Sequence, residues 1–294
     1  MDWLIGLQKA IDYLEDNLSE EIDYSAVAAR AYSSSFYFQR IFSLLTGMTM
    51  GEYIRNRRLT LAGTELAMSK TKVIDVALKY CYDSPESFAK AFNRFHGITP
   101  LAAREPGAKL KSFGRLSIKL TVEGGCFMNY RIEAKEAFHV IGKSKMFSTE
   151  GNVNNTEIPR FWSDCYSDGT IDILCRLAKP QQLVAGPGLL GICDGDSCPG
   201  NGTSFQYAIG TEGSSNVPDG FDVMEIPAAT WAIFQCTGAM PDAIQDLWKQ
   251  IYSEFFAQSG YRPAAGVDFE YYPQGDNSKP DYVSEIWLPV IKES

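Results

Sequence analysis

The sequence lacks the residues and spacings that mark several common classes of protein. It has two histidines and seven cysteines, and no two cysteines form a Cys-x-x-Cys pair. This disfavours a structural zinc site or a disulfide scaffold and indicates reduced thiols. No apolar run approaches the roughly 18 residues that a membrane span needs, and no phosphate-cradling or dinucleotide-binding glycine motif occurs. We therefore expect a cytoplasmic protein with no membrane contact, no metal and no cofactor.

Basic residues are scarce at both ends of the chain and concentrated between them. The 294 residues carry a net charge of −9, which alone argues against a nucleic-acid partner. Residues 1–24 hold one basic and seven acidic side chains, residues 25–119 hold 15 and 6, and residues 120–294 hold 11 and 23. The three segments therefore carry −6, +9 and −12. A basic block of this kind indicates that one segment meets a polyanion.

The first hundred residues contain an internal repeat at an offset of 50. The matching pairs are Ser34 and Ser84, Phe38 and Phe88, Arg40 and Lys90, Phe42 and Phe92, Gly47 and Gly97, and Thr49 and Thr99. Each copy predicts two short helices with a tight turn, because a serine can cap the second helix and a glycine can end it. Thr49 to Met68 predicts one long helix between the copies, opened by a Thr49–Glu52 capping box.

We interpret the copies as two helix-turn-helix units; the alternative is a pair of plain helical hairpins in a bundle. The second helix of each unit would lie in the DNA major groove, and a rigid connecting helix would hold the two about one DNA turn apart. We call these the first recognition helix, from Ser34 to Leu45, and the second recognition helix, from Ser84 to His96.

The sequence YIRNRRLTLA and the run from Val73 to Arg104 resemble the DNA-binding domain of the AraC/XylS family of bacterial transcription regulators. The matching residues of the second copy are Tyr82, Ser84, Phe88, Lys90, Phe92, Gly97, Thr99, Pro100 and Arg104. Cys81 stands where that family usually has glycine, and Ala102 and Ala103 replace an aromatic residue. The resemblance implies an all-α, double helix-turn-helix domain.

The helical period predicts which side chains face DNA. On the first recognition helix these are Ser35, Phe36, Gln39 and Arg40, and the family resemblance points to the same positions. On the second, we expect Glu86 and Lys90 to reach bases and Asn93 and Arg94 to reach phosphates. Arg55 and Arg58 are expected to grip the backbone, the alternative being a solvated helix face. The first copy should therefore carry most of the sequence discrimination.

After residue 126 the hydrophobic period changes from 3.6 to 2. The segments predict a ββαββ pattern that occurs twice, hence an α+β domain with a pocket along the seam between its halves. The strand pair around residues 138–142, the Phe161-Trp162 pair and the closing YVSEIWLPV resemble the gyrase-inhibitor-like (GyrI-like) effector-binding domains. We place the domains at residues 1–106 and 127–294, joined by a linker over residues 107–126.

The resemblance implies that a glutamate in the closing strand sits in an aromatic pocket. Glu285 matches that position, with Trp287 on the same strand face and Tyr207 at the equivalent place in the first half. Trp162 and Phe205 are further candidate walls, and a carboxylate among aromatic rings would suit a cationic ligand. The alternatives are that Glu285 is a surface charge and that Trp162 packs in the core.

The main hypothesis is a transcription regulator that is not an enzyme and whose DNA binding responds to a small-molecule effector, cationic or aromatic in character. The expected partners are double-stranded promoter DNA and that effector, with RNA polymerase as a further candidate. The alternative is a GyrI-like small-molecule hydrolase fused to a DNA-binding domain, with Glu285 as general base. A third option is a sensor that binds a protein partner.

Overall fold

A computed structural model describes residues 2–118, 127–149, 151, 153–178, 183–195, 204–214 and 217–292. The first half is helical, as predicted from the repeat. Its helices are α1 (Asp2–Asp16), α2 (Tyr24–Arg30), α3 (Ser35–Thr46), α4 (Met50–Met68), α5 (Val73–Lys79) and α6 (Pro85–His96), followed by a 3₁₀ turn at Ala102–Arg104. The first recognition helix is α3 and the second is α6.

The predicted helix ends are confirmed by their capping contacts. The side chains of Ser34 and Ser84 accept hydrogen bonds from backbone N–H groups in the first turns of α3 and α6. Thr49 and Glu52 form both hydrogen bonds of the capping box of α4. Both recognition helices end at a left-handed glycine, Gly47 or Gly97.

The tight turns of the two units share an unusual backbone conformation. Tyr32 and Cys81 occupy matching turn positions and have φ angles of +53° and +60°. Glycine adopts this left-handed region without the steric cost that other residues incur. The turn therefore keeps the same geometry in both copies, although neither copy has the glycine that the family usually places in the second.

The two helix-turn-helix units have different hydrophobic cores. The second unit packs its own core, which is formed by Leu59, Ala62, Leu66, Val76, Ala77, Tyr80, Phe88, Phe92 and Ala103. The core of α1, α2 and α3 instead continues into the second half of the chain. The first unit is therefore packed as part of the following domain, whereas the second is not.

The segment after the last turn runs back along the helical half as an extended arm. The backbone N–H of Phe113 donates to Thr60 Oγ1 at 2.9 Å, and that of Leu116 donates to Tyr53 Oη at 3.1 Å. Arg57 of α4 joins the arm to α1, since its guanidinium binds both Glu15 and the Phe113 carbonyl. The predicted linker is thus bound to the helices up to residue 118, and its remaining part, residues 119–126, lies outside the described residues.

The second half contains the predicted duplicated α+β pattern. Its first repeat is β1 (Tyr130–Lys135), β2 (Phe138–Ser148), α7 (Asn154–Ser167), α8 (Thr170–Leu177), β3 (Gly188–Asp194) and β4 (Ser204–Glu212). Its second is β5 (Asp222–Ile226), β6 (Ala229–Thr237), α9 (Asp242–Gln250), a π-helical turn (Ile251–Phe255), α10 (Phe256–Gln258), β7 (Tyr261–Pro263), β8 (Asp268–Pro273) and β9 (Val283–Lys292).

The main strands form one antiparallel sheet in which equivalent strands of the two repeats occupy equivalent places on either side of the centre. The strand order is β1-β6-β9-β8-β3-β4-β2-β5, with β7 paired to β9. The strands β1, β2, β3 and β4 of the first repeat correspond to β5, β6, β8 and β9 of the second. When each strand is replaced by its counterpart, the same order results in reverse, so a pseudo-twofold axis passes between β3 and β8. Each repeat also places its first strand at the far edge of the other repeat. The seam of the domain therefore lies at the β3–β8 pair, where Gly191 faces Glu270.

Alternation along the strands divides the sheet into two faces. One face carries Cys193, Phe205, Tyr207 and Ile286, which belong to the core shared with the helices. The opposite face carries a second cluster that includes Trp231, Phe269 and Trp287. A one-residue change of register moves a side chain from one face to the other.

Across the described residues, no helix combines the length and apolar character that crossing a membrane requires.

Candidate DNA-binding and effector-binding sites

The base-facing side of the first recognition helix lies against the second domain. Phe36 is 2% exposed and packs against Phe205 of β4, with ring centroids 4.6 Å apart and the rings tilted by 34°. Gln39 is buried beside it. Phe38, Ile41 and Phe42 lie in the core, as predicted. The helix and its core face are confirmed, whereas the side expected to be open to DNA is covered.

Arg40 forms an ion pair across the two domains. One guanidinium nitrogen of Arg40 donates to both carboxylate oxygens of Asp268 on β8, at 2.8 and 2.9 Å. The Arg40 Cζ atom also lies 4.3 Å from the ring centroid of Trp248. Asp268 is 1% exposed, and Arg40 is its cationic partner. Burial alone would lower the pKa of Arg40, but the charge of Asp268 raises it well above its ordinary value.

The second recognition helix is open to solvent along its predicted DNA side. Glu86, Lys90, Asn93 and Arg94 are all exposed. Its core face, with Phe88 and Phe92, is fully buried. The two copies therefore present their predicted DNA contacts differently: the second is accessible and the first is occupied.

A basic surface joins α4 to the second recognition helix. Burial raises the pKa of Tyr82, while the positive charges of Arg55, Arg58 and Arg94 oppose that rise. Arg55 is exposed, as a phosphate contact requires. Arg58 instead donates to the carbonyls of Leu18 and Glu20 at 2.8 and 2.6 Å, so it holds the loop after α1.

A cavity of about 1080 Å³ lies between the sheet and helices α7, α8 and α9. It is centred on the β3–β8 seam, as predicted from the duplication. The first recognition helix lines one of its sides through Phe36, Gln39 and Arg40. Three of the predicted effector-binding residues, Trp162, Phe205 and Tyr207, line it as well. Trp162 Nε1 donates to Tyr207 Oη at 2.9 Å, which fixes two of the aromatic walls.

Two of the carboxylates that line the cavity, Asp268 and Glu270, come from β8. Asp268, Glu270 and Tyr272 alternate along that strand and all line the cavity. Trp248 Nε1 donates to Glu270 Oε1 at 2.7 Å, and the Tyr272 hydroxyl donates to Oε2 at 2.7 Å. Glu270 is thus a carboxylate held between two aromatic side chains. Burial, followed by the charge of Glu270, raises the pKa of Tyr272 well above its ordinary value, so this hydroxyl remains a donor.

Glu285 and Trp287 do not line the cavity, which corrects the expectation that they do. Glu285 binds Arg131 at 2.7 Å and accepts a hydrogen bond from Trp287 Nε1 at 2.8 Å. Both residues lie on the opposite face of the sheet. When Gly191 of β3 and Glu270 of β8 are treated as equivalent, their partners Ile209 and Ile286 are equivalent too. The equivalent of Glu285 is therefore Ala208 and not Tyr207. Because side chains alternate along a strand, that single-residue difference moves Glu285 away from the pocket.

Glu270 was missed because its strand was identified without its register. The sequence FEYYP was predicted as a strand, but nothing singled out its glutamate. Its signal is the alternation of Asp268, Glu270 and Tyr272, which puts two acids and an aromatic ring on one face. No group of three or more His, Cys, Asp or Glu side chains suited to a metal occurs among the residues that the structure describes.

Two family models match the chain. Residues 131–290, more than half of it, match the integron-associated effector-binding protein family Cass2, and residues 27–106 match a helix-turn-helix domain family. The chain is 38% identical over 94 residues to the HTH-type transcriptional activator AarP of Providencia stuartii, covering 32% of this chain and 70% of AarP. It is 34% identical over 94 residues to the regulatory protein SoxS of Salmonella typhimurium, covering 32% of this chain and 88% of SoxS.

A solved structure of SAV2435 bound to tetraphenylphosphonium is 25% identical and has a TM-score of 0.48. It covers 56% of this chain and 94% of SAV2435. The family matches agree with the helical half, its caps and its repeated turns, and with the duplicated α+β half that surrounds the cavity. The chain therefore belongs to the integron-associated effector-binding protein family through its second half and is an AraC-type transcription regulator with a GyrI-like effector-binding domain.

Proposed function

We propose that the cavity binds an aromatic cation, with Glu270 as its counter-ion, and that this binding controls the contact between residues 1–106 and promoter DNA. The observation that carries the proposal is the Glu270 carboxylate between Trp248 and Tyr272, in a cavity with further aromatic walls. Aromatic faces attract cations, and a partly buried carboxylate needs a positive partner. The charge of −12 over residues 120–294 favours a cation over an anion.

The DNA side of the proposal rests on the exposed second recognition helix and the basic surface beside it. We expect Lys90 to reach a base edge, and Asn93, Arg94 and Arg55 to reach phosphates, because all four side chains are exposed. The first recognition helix supplies Ser35, Phe36, Gln39 and Arg40 once they are free of the second domain. We expect this protein to activate transcription, because its relative AarP is described as a transcriptional activator.

The test uses two probes of matched shape and opposite charge, tetraphenylphosphonium and tetraphenylborate, titrated calorimetrically into the full chain. We expect the cation to bind and the anion not to bind. Glu270→Gln should weaken cation binding at least about 10-fold, because it removes the counter-ion from a desolvated site. The cation should be recovered chemically unchanged, since the proposal assigns the cavity binding without turnover.

Glu285→Gln is the matched control, because it removes a carboxylate from the same sheet on the face away from the cavity. It should leave cation affinity unchanged. Equal affinity for the anion, or a larger loss from Glu285→Gln than from Glu270→Gln, would overturn the assignment of Glu270.

A further inference from the structure

The residues that the first recognition helix would use on DNA are the residues that close the effector cavity. Phe36 lies on Phe205, Gln39 is buried, and Arg40 is bound to Asp268. A side chain cannot contact a base edge and the β8 strand at the same time. In this arrangement the first helix-turn-helix unit is therefore unable to read DNA, while the second remains exposed.

Arg40 occupies the cavity in the manner of a bound cation. Its guanidinium pairs with a buried carboxylate, Asp268, and lies over the ring of Trp248. The same Trp248 donates its indole N–H to Glu270, two residues from Asp268 on the same strand face. The arginine of the chain itself and a cation bound at Glu270 would thus share one surface of carboxylates and aromatic rings.

The difference between the two units indicates that the contact of the first recognition helix with the effector-binding domain is specific. We call this contact, made by Phe36, Gln39 and Arg40, the dock. Lys90 stands at the repeat position of Arg40 and is exposed. The hydrophobic core of the second unit is separate, whereas that of the first continues into the effector-binding domain. The opposite charges of residues 25–119 and 120–294 favour the contact.

We infer that the first recognition helix is an intramolecular occupant of the effector cavity, and that a cationic effector releases it for DNA binding by replacing Arg40 and Phe36. The identity of the releasing ligand rests on the proposed function; the dock itself does not. Release needs a ligand that binds the undocked state better than the docked one. A cation satisfies this requirement because it replaces the positive charge that leaves Asp268 when Arg40 undocks.

Gly195 offers a way to open the dock without touching its charges. It follows β3, and a Cβ atom placed on it would overlap the ring of Phe36. Gly195→Ala should therefore prevent docking and raise DNA affinity without any ligand, by about 5- to 150-fold if the dock has the usual strength of an allosteric coupling. The matched control is Gly114→Ala, because a Cβ atom there meets no atom within 4 Å.

Asp268→Asn provides a second variant that acts by charge instead of shape. It removes the negatively charged partner of Arg40 and should therefore also raise DNA affinity.

Binding is measured by fluorescence anisotropy, with a duplex selected from a randomised pool by the full chain and with tetraphenylphosphonium absent or saturating. The cation should raise the DNA affinity of the wild-type protein and of Gly114→Ala, and have little further effect on Gly195→Ala. Thermal melting identifies any variant that does not fold, in which case the other one decides.

The outcomes separate the two proposals. If the cation binds but neither folded variant changes DNA affinity, the dock is overturned and the proposed ligand class stands. If the cation does not bind but Gly195→Ala and Asp268→Asn both raise DNA affinity, the dock is supported and the ligand class is overturned.

Discussion

Arg40 of the first recognition helix and Asp268 of β8 are 228 positions apart in the sequence and form an ion pair at 2.8 Å. Asp268 is buried, so loss of the guanidinium would leave a charge without its cationic partner inside the protein. The pair therefore links the residue best suited to bind a guanine to the strand that carries Asp268 and Glu270, two carboxylates of the effector cavity.

The two recognition helices should contribute differently to DNA specificity. Arg40→Ala should cost about 1–3 kcal/mol of DNA binding and relax base preference at one position, because arginine can bind guanine through two hydrogen bonds. Lys90→Ala should weaken binding more uniformly across sequences. Both are measured with saturating tetraphenylphosphonium on a panel of single-base variants of the selected duplex. A larger loss of specificity from Lys90→Ala would show that the second copy reads the sequence.

The turn of the second unit should become more stable with glycine. Cys81 is exposed and has a φ of +60°, which costs a residue other than glycine about 1–2 kcal/mol. Cys81→Gly should raise the free energy of unfolding by about 0.5–1 kcal/mol after the entropic cost of glycine is subtracted. Cys81→Ala keeps the Cβ atom and serves as control. Urea unfolding measures both, and equal stabilities would show that the turn is not strained.

The ion pair between α1 and α4 should contribute strongly to stability. The side chains of Arg57 and Glu15 are 12% and 7% exposed, and Tyr53 also donates to Glu15. Glu15→Gln should lower the free energy of unfolding by about 3 kcal/mol, because the Arg57 guanidinium would remain buried without a negatively charged partner. The exposed pair of Arg115 with Asp12 is the control, and Asp12→Asn should cost less than about 1 kcal/mol. Similar losses from both variants would contradict this reasoning.

The stability of the helical half should fall at mildly acidic pH because of His96. Its Nδ1 accepts from the backbone N–H of Lys111, and its Nε2 contacts the Leu59 carbonyl at 2.9 Å. Burial, opposed by the Leu59 contact and supported by the charge of Lys111, lowers the pKa of His96 below 6.5. The unfolded chain therefore binds a proton that the folded chain does not, and stability falls as the pH drops below about 6.5.

His96→Gln should reduce that pH dependence, measured as the urea midpoint between about pH 7.5 and about pH 5.5. The matched control is His139→Gln, because His139 is exposed on β2. An unchanged pH dependence in His96→Gln would show that another group is responsible.

The helical half could be predicted from the sequence because its signals are local. Ser34, Ser84 and the Thr49–Glu52 pair act within one turn of the residues that they cap. The repeat then predicted that the two units have the same fold. Its constant offset of 50 residues pairs Phe38 with Phe88, and both side chains are buried.

The effector site could be predicted only in part, because a strand presents alternate residues to opposite faces. The duplicated pattern located the cavity at the seam, and the family resemblance supplied the candidates Tyr207, Trp162 and Phe205, all of which line it. The family resemblance pointed to Glu285 as the pocket carboxylate and to Tyr207 as its equivalent, but the strand register offsets the two by one residue, so Glu285 faces away from the cavity. The alternation of Asp268, Glu270 and Tyr272 puts these side chains on one face of the strand, and the pairing of β3 with β8 shows that this face lines the cavity.

The contact of Arg40 with Asp268 has no signal in the sequence. It depends on how two separately predicted domains pack, and neither residue is unusual in its own segment. The periodicity assigned Arg40 to the outer face of its helix, which is correct; the partner on that face could come only from the structure.

The most direct test of the account is thermodynamic linkage between the two ligands. The affinity of the full chain for tetraphenylphosphonium is measured by calorimetry with and without a saturating concentration of the selected duplex. If the effector and the docked helix compete for one cavity, DNA must tighten cation binding by the same factor by which the cation tightens DNA binding, about 5-fold or more. A cation affinity that is the same with and without DNA would contradict the account.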